Sequence, residues 1–271
     1  MASNAGSPAM QRRMKPLLGT FVEIAIVEME RGDTALTAAF AAIERIQALL
    51  SFHDAESELS RLNRQPGTAV KFDAISLRVL RLARAMTLRS NGLFNCTVGG
   101  ALVAHGTLPD HGGVAALPCG RADDIVIGSG YALLRRPLRI TLDGIAKGYA
   151  VDCAVRVLQA HGACSGWVNA GGDLRCFGET VLPVQRREVD GSLTLLGGVQ
   201  NGALATSAVY PQRQGSFPSH IVRDGEELQE HGAWSVLART AWRADALTKV
   251  AALAPAQQRA ALIQQLGGRL V

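Results

Sequence analysis

TLDGIAKGYAVD, residues Thr141–Asp152, is the stretch that decides how this chain folds. The β-branched and leucine-rich run Leu138–Leu142 predicts a strand that breaks at Asp143-Gly144. A helix is predicted from Ile145 to about His161, and Gly162 suits the position just after a helix end. This junction predicts unpaired backbone N–H groups and the positive end of a helix dipole, which together suit a phosphate group.

Lys147 lies in the first turn of this predicted helix. Its ammonium group is a mobile point charge that suits a phosphate oxygen or a ring carbonyl. An ordinary strand-to-helix turn with a solvated lysine explains the same local pattern, because a Gly-Lys turn is weak evidence for a site. The second sequence feature, Asn169–Asp173 (NAGGD), follows about twenty residues later and predicts a turn at its two glycines.

Composition and charge limit the function classes. The 271 residues are 48% hydrophobic and contain no long polar or proline-rich linker, so we predict a flexible segment at residues 1–16 and a single domain over residues 17–271. The net charge of +5 favours an anionic ligand such as a nucleotide. No block interleaves basic and aromatic residues, which argues against nucleic-acid binding. The five cysteines form no C-x-x-C pair, so neither a zinc site nor a disulfide framework is expected.

The N-terminal residues predict neither a signal peptide nor a transmembrane span, since no apolar segment follows Arg12-Arg13. We therefore expect a cytoplasmic protein; a periplasmic or membrane-anchored one is expected instead if the N-terminus was trimmed.

Hydrophobic periodicity predicts an α+β fold, because strands and helices do not alternate strictly. The predicted helices are 34–50, 73–89, 145–161, 244–254 and 256–266, with a short polar helix or loop at 57–63. The predicted strands are 20–27, 125–127, 138–142, 167–169, 174–177, 193–199, 203–209, 220–222 and 235–238. Residues 105–121 are rich in glycine and proline and predict a surface loop.

Several segments, taken in order, resemble the ApbE family of flavin transferases (FAD:protein FMN transferases). The resemblance covers roughly residues 17–255. Each piece alone is short and weak, and the preserved order of all eight carries the resemblance. The pieces are Leu18–Phe21, Ser51–His53 with Ser57–Asn63, Phe94–Gly99, Gly144–Asp152, Asn169–Asp173, Ala205–Ser207, Ser219–Ile221 and Ala244–Thr248.

The resemblance implies a layered α+β fold of two related α/β halves with FAD bound in a cleft between them. It implies a Mg²⁺-dependent cut of the FAD pyrophosphate and transfer of FMN to a Thr or Ser hydroxyl of a partner protein. Such partners are typically flavin-acceptor subunits of membrane-linked redox complexes. Some members of the family instead hydrolyse FAD to FMN and AMP.

The resemblance also implies roles for individual residues. The implied metal ligands are Asp245, the backbone carbonyl near Gly144, and Thr248. The implied catalytic residues are His220, as general base or substrate-positioning group, and Asp245. Lys249 is a further catalytic candidate because it stands where the family has a different residue. The implied cofactor-binding residues are Leu18, His53, Leu93, Phe94, Asn95, Lys147, Asp173 and Ile221.

Simpler interpretations of four of these residues stay open from the sequence. His53 lies where many members of the family have a stacking Tyr, and it is also consistent with a polar loop histidine. Asp173 suits a turn-stabilising residue. His220 suits a histidine on a sheet surface, and Asp245 suits an exposed acid in the first turn of a helix.

This chain departs from the family pattern at the implied metal site. The family's helix carries Asp-Ala-x-x-Thr, whereas here Lys249 takes the place of that Thr and Thr248 comes one residue early. The sequence leaves two alternatives: Lys249 replaces the cation, or it points away and Mg²⁺ binds with fewer protein ligands. Further departures are Thr141 and Asn95 at common Asp positions, and residues 222–225 in place of an Asp-Pro-x-Thr-Gly turn.

The sequence thus favours an FMN transferase that uses FAD and releases AMP. The alternatives are an FAD pyrophosphatase and a flavin-binding protein without transfer activity. An NAD-binding α/β enzyme is disfavoured, since no Gly-x-Gly-x-x-Gly follows a first strand.

Overall fold

The computed structural model describes residues 9–210 and 221–271, and these form a mixed structure of helices and mainly antiparallel strands. The predicted α+β class is confirmed. The helices are α1 (Gly32–Leu50), α2 (Glu58–Arg64), α3 (Ala74–Arg89), α4 (Gly99–Ala104), α5 (Ala146–Ala160), α6 (Ala241–Leu253) and α7 (Ala256–Gln265), with one 3-10 turn at Ala122–Asp124. The strands are β1 (Met10–Leu17), β2 (Thr20–Val27), β3 (Val70–Lys71), β4 (Ile125–Ile127), β5 (Tyr131–Leu134), β6 (Gly166–Ala170), β7 (Asp173–Phe177), β8 (Leu182–Arg187), β9 (Leu193–Val199), β10 (Ala203–Val209), β11 (Val222–Arg223), β12 (Glu226–Glu227), β13 (Gly232–Ala238) and β14 (Gly268–Leu270).

One seven-stranded sheet organises the molecule. Its strand order is β1-β2-β6-β7-β10-β13-β14, and each neighbouring pair is antiparallel. Helices α1, α5 and α6 pack side by side on one face of this sheet. Between the layers lies a largely aliphatic core that includes Ile24, Phe40 and Val155, all fully buried. Removal of this apolar surface from water is the main force that holds the helices on the sheet.

The opposite face of the sheet is covered in part by the β8–β9 hairpin. A second apolar cluster lies under that hairpin and contains Leu174, Val184 and Leu204. A small antiparallel sheet, β3-β5-β4, lies with α2 and α3 elsewhere in the fold. The strands β3, β5, β8, β12 and β14 were not predicted from the sequence, because they are short or carry charged and glycine residues.

The predicted strand Leu138–Leu142 is wrong, since these residues belong to no sheet and form only one parallel bridge, between Val98 and Arg139. Side chains replace a neighbouring strand here. Asn63 donates to Ile140 O (2.8 Å) and accepts from Ile140 N (2.6 Å), so it takes both backbone groups of Ile140. The buried Arg139 guanidinium donates to the carbonyls of Asn63, Gly112 and Val114. The Asn63 bonds, together with those from Gly99 N to Arg139 O (3.0 Å) and from Thr141 N to Cys96 O (2.9 Å), satisfy the extended backbone without a ladder.

The prediction of a flexible segment at residues 1–16 is wrong for residues 10–16, which form most of β1. The strand pairs along its whole length with β2. The two are joined by a tight turn in which Leu18 and Gly19 both have positive φ angles, of 57° and 69°. Such a turn matches the twist of a two-stranded ribbon. Composition concealed this strand, because an edge strand with long charged side chains resembles a polar tail.

Among the residues that the structure describes, no helix is long and apolar enough to cross a membrane.

Candidate functional site

A cleft of about 1000 Å³ opens beside the large sheet. Its walls come from the segment before α4, from the start of α5, from strands β6, β7 and β10, and from the β8–β9 hairpin. Of the predicted site residues, those that line it are Leu93, Phe94, Asn95, Gly144, Lys147, Ile221 and Lys249. The chain therefore brings together residues that are more than 150 positions apart in sequence.

Lys147 projects from the first turn of α5 into this cleft and forms an ion pair with Asp173 at the start of β7. The Lys147 Nζ–Asp173 Oδ2 distance is 3.0 Å. Asp173 is almost completely buried, whereas Lys147 is about one-third exposed. The carboxylate of Asp173 is the main reason that the pKa of Lys147 lies above its ordinary value. Burial, followed by the neighbouring charge of Asp245, raises the pKa of Asp173, while Lys147 opposes that rise.

Asp245 and Lys249 lie one helical turn apart on α6 and form a second ion pair. Lys249 Nζ is 2.5 Å from Asp245 Oδ1, and the other oxygen, Oδ2, accepts the backbone N–H of Gly148 at 3.2 Å. Asp245 is fully buried, and the Lys249 side chain is about one-quarter exposed, on the cleft side. The cleft is thus flanked by two ammonium groups, each held by a buried carboxylate.

The other two predicted metal ligands surround the Lys249 side chain. Thr248 is buried, donates to the backbone carbonyl of Asp245 (2.7 Å) and shares a hydrogen bond with Ser207 (2.7 Å). Gly144 packs directly against the Lys249 chain, because a Cβ built on Gly144 would lie 3.1 Å from Lys249 Cε. The same Cβ would lie 3.3 Å from Phe94 Cε2. Gly144 therefore leaves room for a long cationic side chain.

The residues at Asp245 do not fit a Mg²⁺ ion. Magnesium needs near-octahedral oxygen ligands at about 2.0–2.1 Å. Here one carboxylate oxygen is taken by an ammonium group and the other by a backbone N–H, and the Thr248 hydroxyl is turned to other partners. Within residues 9–210 and 221–271, no three His, Cys, Asp or Glu side chains form a metal-binding group. Of the two alternatives for Lys249, the geometry agrees with the one in which its ammonium takes the place of the cation.

At the start of α5, two of the first N–H groups are already taken: Ala146 N donates to Leu142 O at 2.7 Å, and Gly148 N donates to Asp245 Oδ2 at 3.2 Å. The phosphate site predicted at this helix N-terminus therefore stays a prediction, and the two lysine side chains face the same cleft.

Two predicted site residues do not line the cleft, and a third lies outside the described residues. Leu18 lies in the β1–β2 turn, where its N–H donates to Gln47 Oε1 at 2.6 Å. His53 is exposed on the loop after α1 and is not among the residues that line the cleft, although it lies within electrostatic range of the cleft residue Asp143. His220, the predicted general base, lies outside the described residues.

Asn95 lines the cleft, but its side chain is committed to a turn. Its Oδ1 accepts from Thr97 N (2.9 Å) and Thr97 Oγ1 (2.8 Å), and its Nδ2 donates to Gly120 O (3.2 Å). Its role is therefore to shape the wall next to Phe94 rather than to offer a free amide.

Asp143 is a cleft residue that sequence reasoning did not assign. It lines the cleft and accepts a hydrogen bond from Thr141 Oγ1 at 3.0 Å. The position of Thr141 and Asp143 was noted only as a departure from the family pattern. Other unassigned cleft residues are Arg12, Trp167, Asn169, Arg186, Arg187, Thr206 and Ser207. Asn169, Thr206 and Ser207 carried a signal, since each belongs to one of the matching segments.

The Lys147–Asp173 pair can be tested by competitive acylation, because the chain has only four lysines, Lys15, Lys71, Lys147 and Lys249. A raised pKa leaves less neutral amine at a given pH, so Lys147 is expected to react with acetic anhydride at a higher pH than exposed Lys71. Asp173→Asn removes the largest cause, and the Lys147 curve should then move to lower pH. Peptide mass spectrometry measures both curves, with Lys71 as internal control; coincident Lys147 and Lys71 curves in the parent chain would contradict the assignment.

Solved structures of flavin transferases have the same fold as this chain. The Flavin Transferase ApbE from Vibrio cholerae superposes with a TM-score of 0.82, at 20% identity, over 98% of this chain and 97% of that one. The Pseudomonas stutzeri flavinyl transferase ApbE in its apo form gives a TM-score of 0.81, at 18% identity, over 99% and 96%. The ApbE protein from Thermotoga maritima gives 0.80, at 22% identity, over 97% and 93%. The architecture is therefore that of the ApbE-type α+β proteins.

The chain belongs to the ApbE family, whose sequence model matches residues 18–270. A curated relative, the FAD:protein FMN transferase of Klebsiella pneumoniae (strain 342), is 25% identical over 202 residues. That match spans 68% of this chain and 63% of the relative, which is less than two thirds of the relative's length.

Proposed function

We propose that this protein transfers FMN from FAD to a Ser or Thr hydroxyl of an acceptor protein, with release of AMP. The observation that carries the proposal is the pair of cleft lysines, Lys147 and Lys249, each backed by a buried carboxylate, in a chain of the ApbE family. FAD carries a dianionic pyrophosphate, and phosphoryl transfer depends mainly on positioning and on neutralising charge. The relative's printed name, FAD:protein FMN transferase, supports the same reaction.

The reaction is a substitution at one phosphorus atom. The acceptor hydroxyl oxygen forms a bond to the phosphorus nearest the riboflavin, and the bond from that phosphorus to the bridging oxygen breaks. AMP leaves with the bridging oxygen, and the hydroxyl proton passes to a base. We propose His220 for that base, from its position in the family pattern.

Lys249 supplies the charge that a metal would otherwise bring. Its ammonium lies at the cleft wall beside Gly144, and Asp245 fixes its position through a 2.5 Å contact. Lys147, in the first turn of α5, lines the same cleft and is held protonated by Asp173. Two fixed cations can neutralise the pyrophosphate and the negative charge that develops on departing AMP. The proposed enzyme therefore needs no Mg²⁺ at Asp245.

The remaining roles follow from the cleft walls. We propose that Leu93, Phe94 and Ile221 provide apolar contacts to the flavin nucleotide, since all three line the cleft. The acceptor is proposed to be a flavin-carrying subunit of a redox complex, as for the family.

The proposal is tested by incubating the purified protein with FAD and a flavin-acceptor domain, with Mg²⁺ or with EDTA. Mass spectrometry follows the acceptor, and chromatography follows the nucleotides. The matched control is the same acceptor domain with its target Thr or Ser replaced by Ala. We expect the acceptor to gain the mass of FMN in both conditions, with an equal amount of AMP released.

Each other outcome points to a different function. Free FMN and AMP without labelled acceptor would identify an FAD pyrophosphatase. Intact bound FAD, with neither product, would identify a flavin-binding protein. Labelling only with Mg²⁺ would preserve the transferase and overturn the role of Lys249.

A further inference from the structure

Helices α5 and α6 carry the two cleft lysines, and their backbones approach each other most closely at Gly148 of α5. Gly148 on α5 faces the first residues of α6, where a Cβ built on it would lie 2.3 Å from Ala241 O and 2.7 Å from Trp242 Cα. The distance between the two ammonium groups therefore depends on how the first turn of α6 is held against α5.

Two buried carboxylates connect the helices at this contact, in opposite directions. Asp245 of α6 accepts the N–H of Gly148 in the first turn of α5. Asp152 of α5 accepts the first two N–H groups of α6, from Ala241 to Oδ1 and from Trp242 to Oδ2, both at 3.0 Å. Each helix thus caps the N-terminal turn of the other.

Asp152 does the capping that α6 lacks in its own sequence. The residue before α6, Thr240, makes no side-chain cap hydrogen bond. The first N–H groups of a helix need acceptors when they are buried, and an anion there also interacts well with the helix dipole. Asp152 is only 4% exposed, and Arg175 of β7 donates to its Oδ1 at 2.6 Å, which balances its charge.

Strand β7 holds α5 in place through two ion pairs. Asp173 and Arg175 lie two residues apart on β7, so their side chains point to the same face of the sheet, toward α5. Asp173 pairs with Lys147 and Arg175 pairs with Asp152, so two ion pairs of opposite polarity fix α5 on the strand. The fixed helix then holds α6 through Asp152.

We infer that Asp152 is a positioning residue for the reaction: it sets the place of Lys249 and Asp245 relative to Lys147 by capping α6. This inference rests on the proposed function for its kinetic part. Asp152 does not line the cleft, so it acts through α6 and touches neither nucleotide nor acceptor.

The test uses Asp152→Asn, which keeps the size of the side chain but removes its charge and one of its acceptor oxygens. We expect kcat to fall about 10-fold, because a small displacement of a charge at the reacting atoms is costly, while KM for FAD changes less than about 3-fold. When Asp152→Asn is combined with Lys249→Met, the kcat of the double variant should lie within about 3-fold of the kcat of Lys249→Met alone. If Asp152 only stabilised the fold, the fold-decreases in kcat of the two single variants would instead multiply in the double variant.

The matched control is Asp73→Asn. Asp73 caps α3 through Ile75 N (2.8 Å) and pairs with Arg45 (2.8 Å), so it has the same kind of bonds on a helix that carries none of the predicted site residues. Its kcat should stay within about 2-fold of the parent enzyme. If Asp152→Asn does not fold, Asp152→Glu takes its place, since it keeps the charge and displaces the cap by one methylene group. The same comparison with Lys249→Met and with the double variant then applies.

A second measurement needs no turnover. Acylation of Lys249, relative to Lys71, should rise at least about 3-fold in Asp152→Asn and stay unchanged in Asp73→Asn, because the Asp245–Lys249 pair loosens only in the first. A parent enzyme that fails to transfer FMN would overturn the proposed function, while the acylation ratio still decides the role of Asp152. Unchanged Lys249 acylation, kcat within about 2-fold of the parent, or multiplied losses in the double variant would overturn the inference.

Discussion

Lys249→Met is expected to lower the rate of FMN transfer by about 100-fold or more, because it removes one of the two fixed charges that face the pyrophosphate. Methionine has nearly the length of lysine, so it fills the space beside Gly144 and Phe94 without a cation. The assay is the initial rate of acceptor labelling at saturating FAD in the presence of EDTA.

Lys249→Arg is the control for this substitution, since it keeps the positive charge at the same position of α6. It should retain more activity than Lys249→Met. Equal losses in the two variants would show that the shape of the side chain, and not its charge, matters at this position.

Lys249→Thr tests whether Lys249 takes the place of a metal ion. This change restores the hydroxyl of the family pattern and frees Asp245 Oδ1, which now contacts the ammonium group at 2.5 Å. We expect low activity in EDTA and a clear increase when Mg²⁺ is added, because a hard cation can then bind the freed carboxylate. A metal titration that is the same for Lys249→Thr and for the parent enzyme would rule out Lys249 as the replacement for the cation.

Gly148→Ala is expected to have the largest effect on stability. A single methyl group at this position would lie 2.3 Å from Ala241 O and 2.5 Å from Ala241 C, and backbone atoms cannot turn away as a flexible side chain can. Helices α5 and α6 must separate, which weakens the Gly148–Asp245 bond and both cap bonds of Asp152. We expect a loss of about 3 kcal/mol in the free energy of unfolding, at the upper end of overpacking substitutions.

This second prediction is measured by urea unfolding, with Gly202→Ala as control. A Cβ at Gly202 has its nearest neighbours at 3.5 and 3.6 Å, an ordinary contact distance, so the control should change the free energy of unfolding by less than about 0.5 kcal/mol. Equal free energies of unfolding for the two alanine variants would show that the close approach of α5 and α6 is not needed for stability.

Helices α1, α3 and α5 were predictable because each has an apolar stripe, and α3 also has a clear N-cap in Asp73. Residues 138–142 were not, because their sequence is that of a strand. In place of a neighbouring strand, the side chain of Asn63, 77 positions away, takes both backbone groups of Ile140. No local pattern contains a contact of that range. β1 was hidden for a different reason, since an exposed edge strand buries too few of its side chains to show an alternation.

The site was predictable to a similar degree. Lys147, Gly144 and Lys249 could be grouped from the sequence only through the family pattern, and the structure places all three at one cleft. Asp152 belongs to the stretch that was singled out first, yet its role could not be predicted, because its partners begin a helix about ninety residues later. Leu18 and His53 show the reverse: a family position does not by itself place a side chain in the cleft.

The order of strands in the large sheet, β1-β2-β6-β7-β10-β13-β14, is also their order along the chain. Each new strand joins the open edge left by an earlier one, and none has to be inserted between two strands already paired. The sheet can therefore grow in one direction while the polypeptide leaves the ribosome. Lys147 and Asp173 emerge well before Asp245 and Lys249. An unfinished chain thus holds only half of the charged cleft, and the second ammonium arrives with one of the last helices to be synthesised.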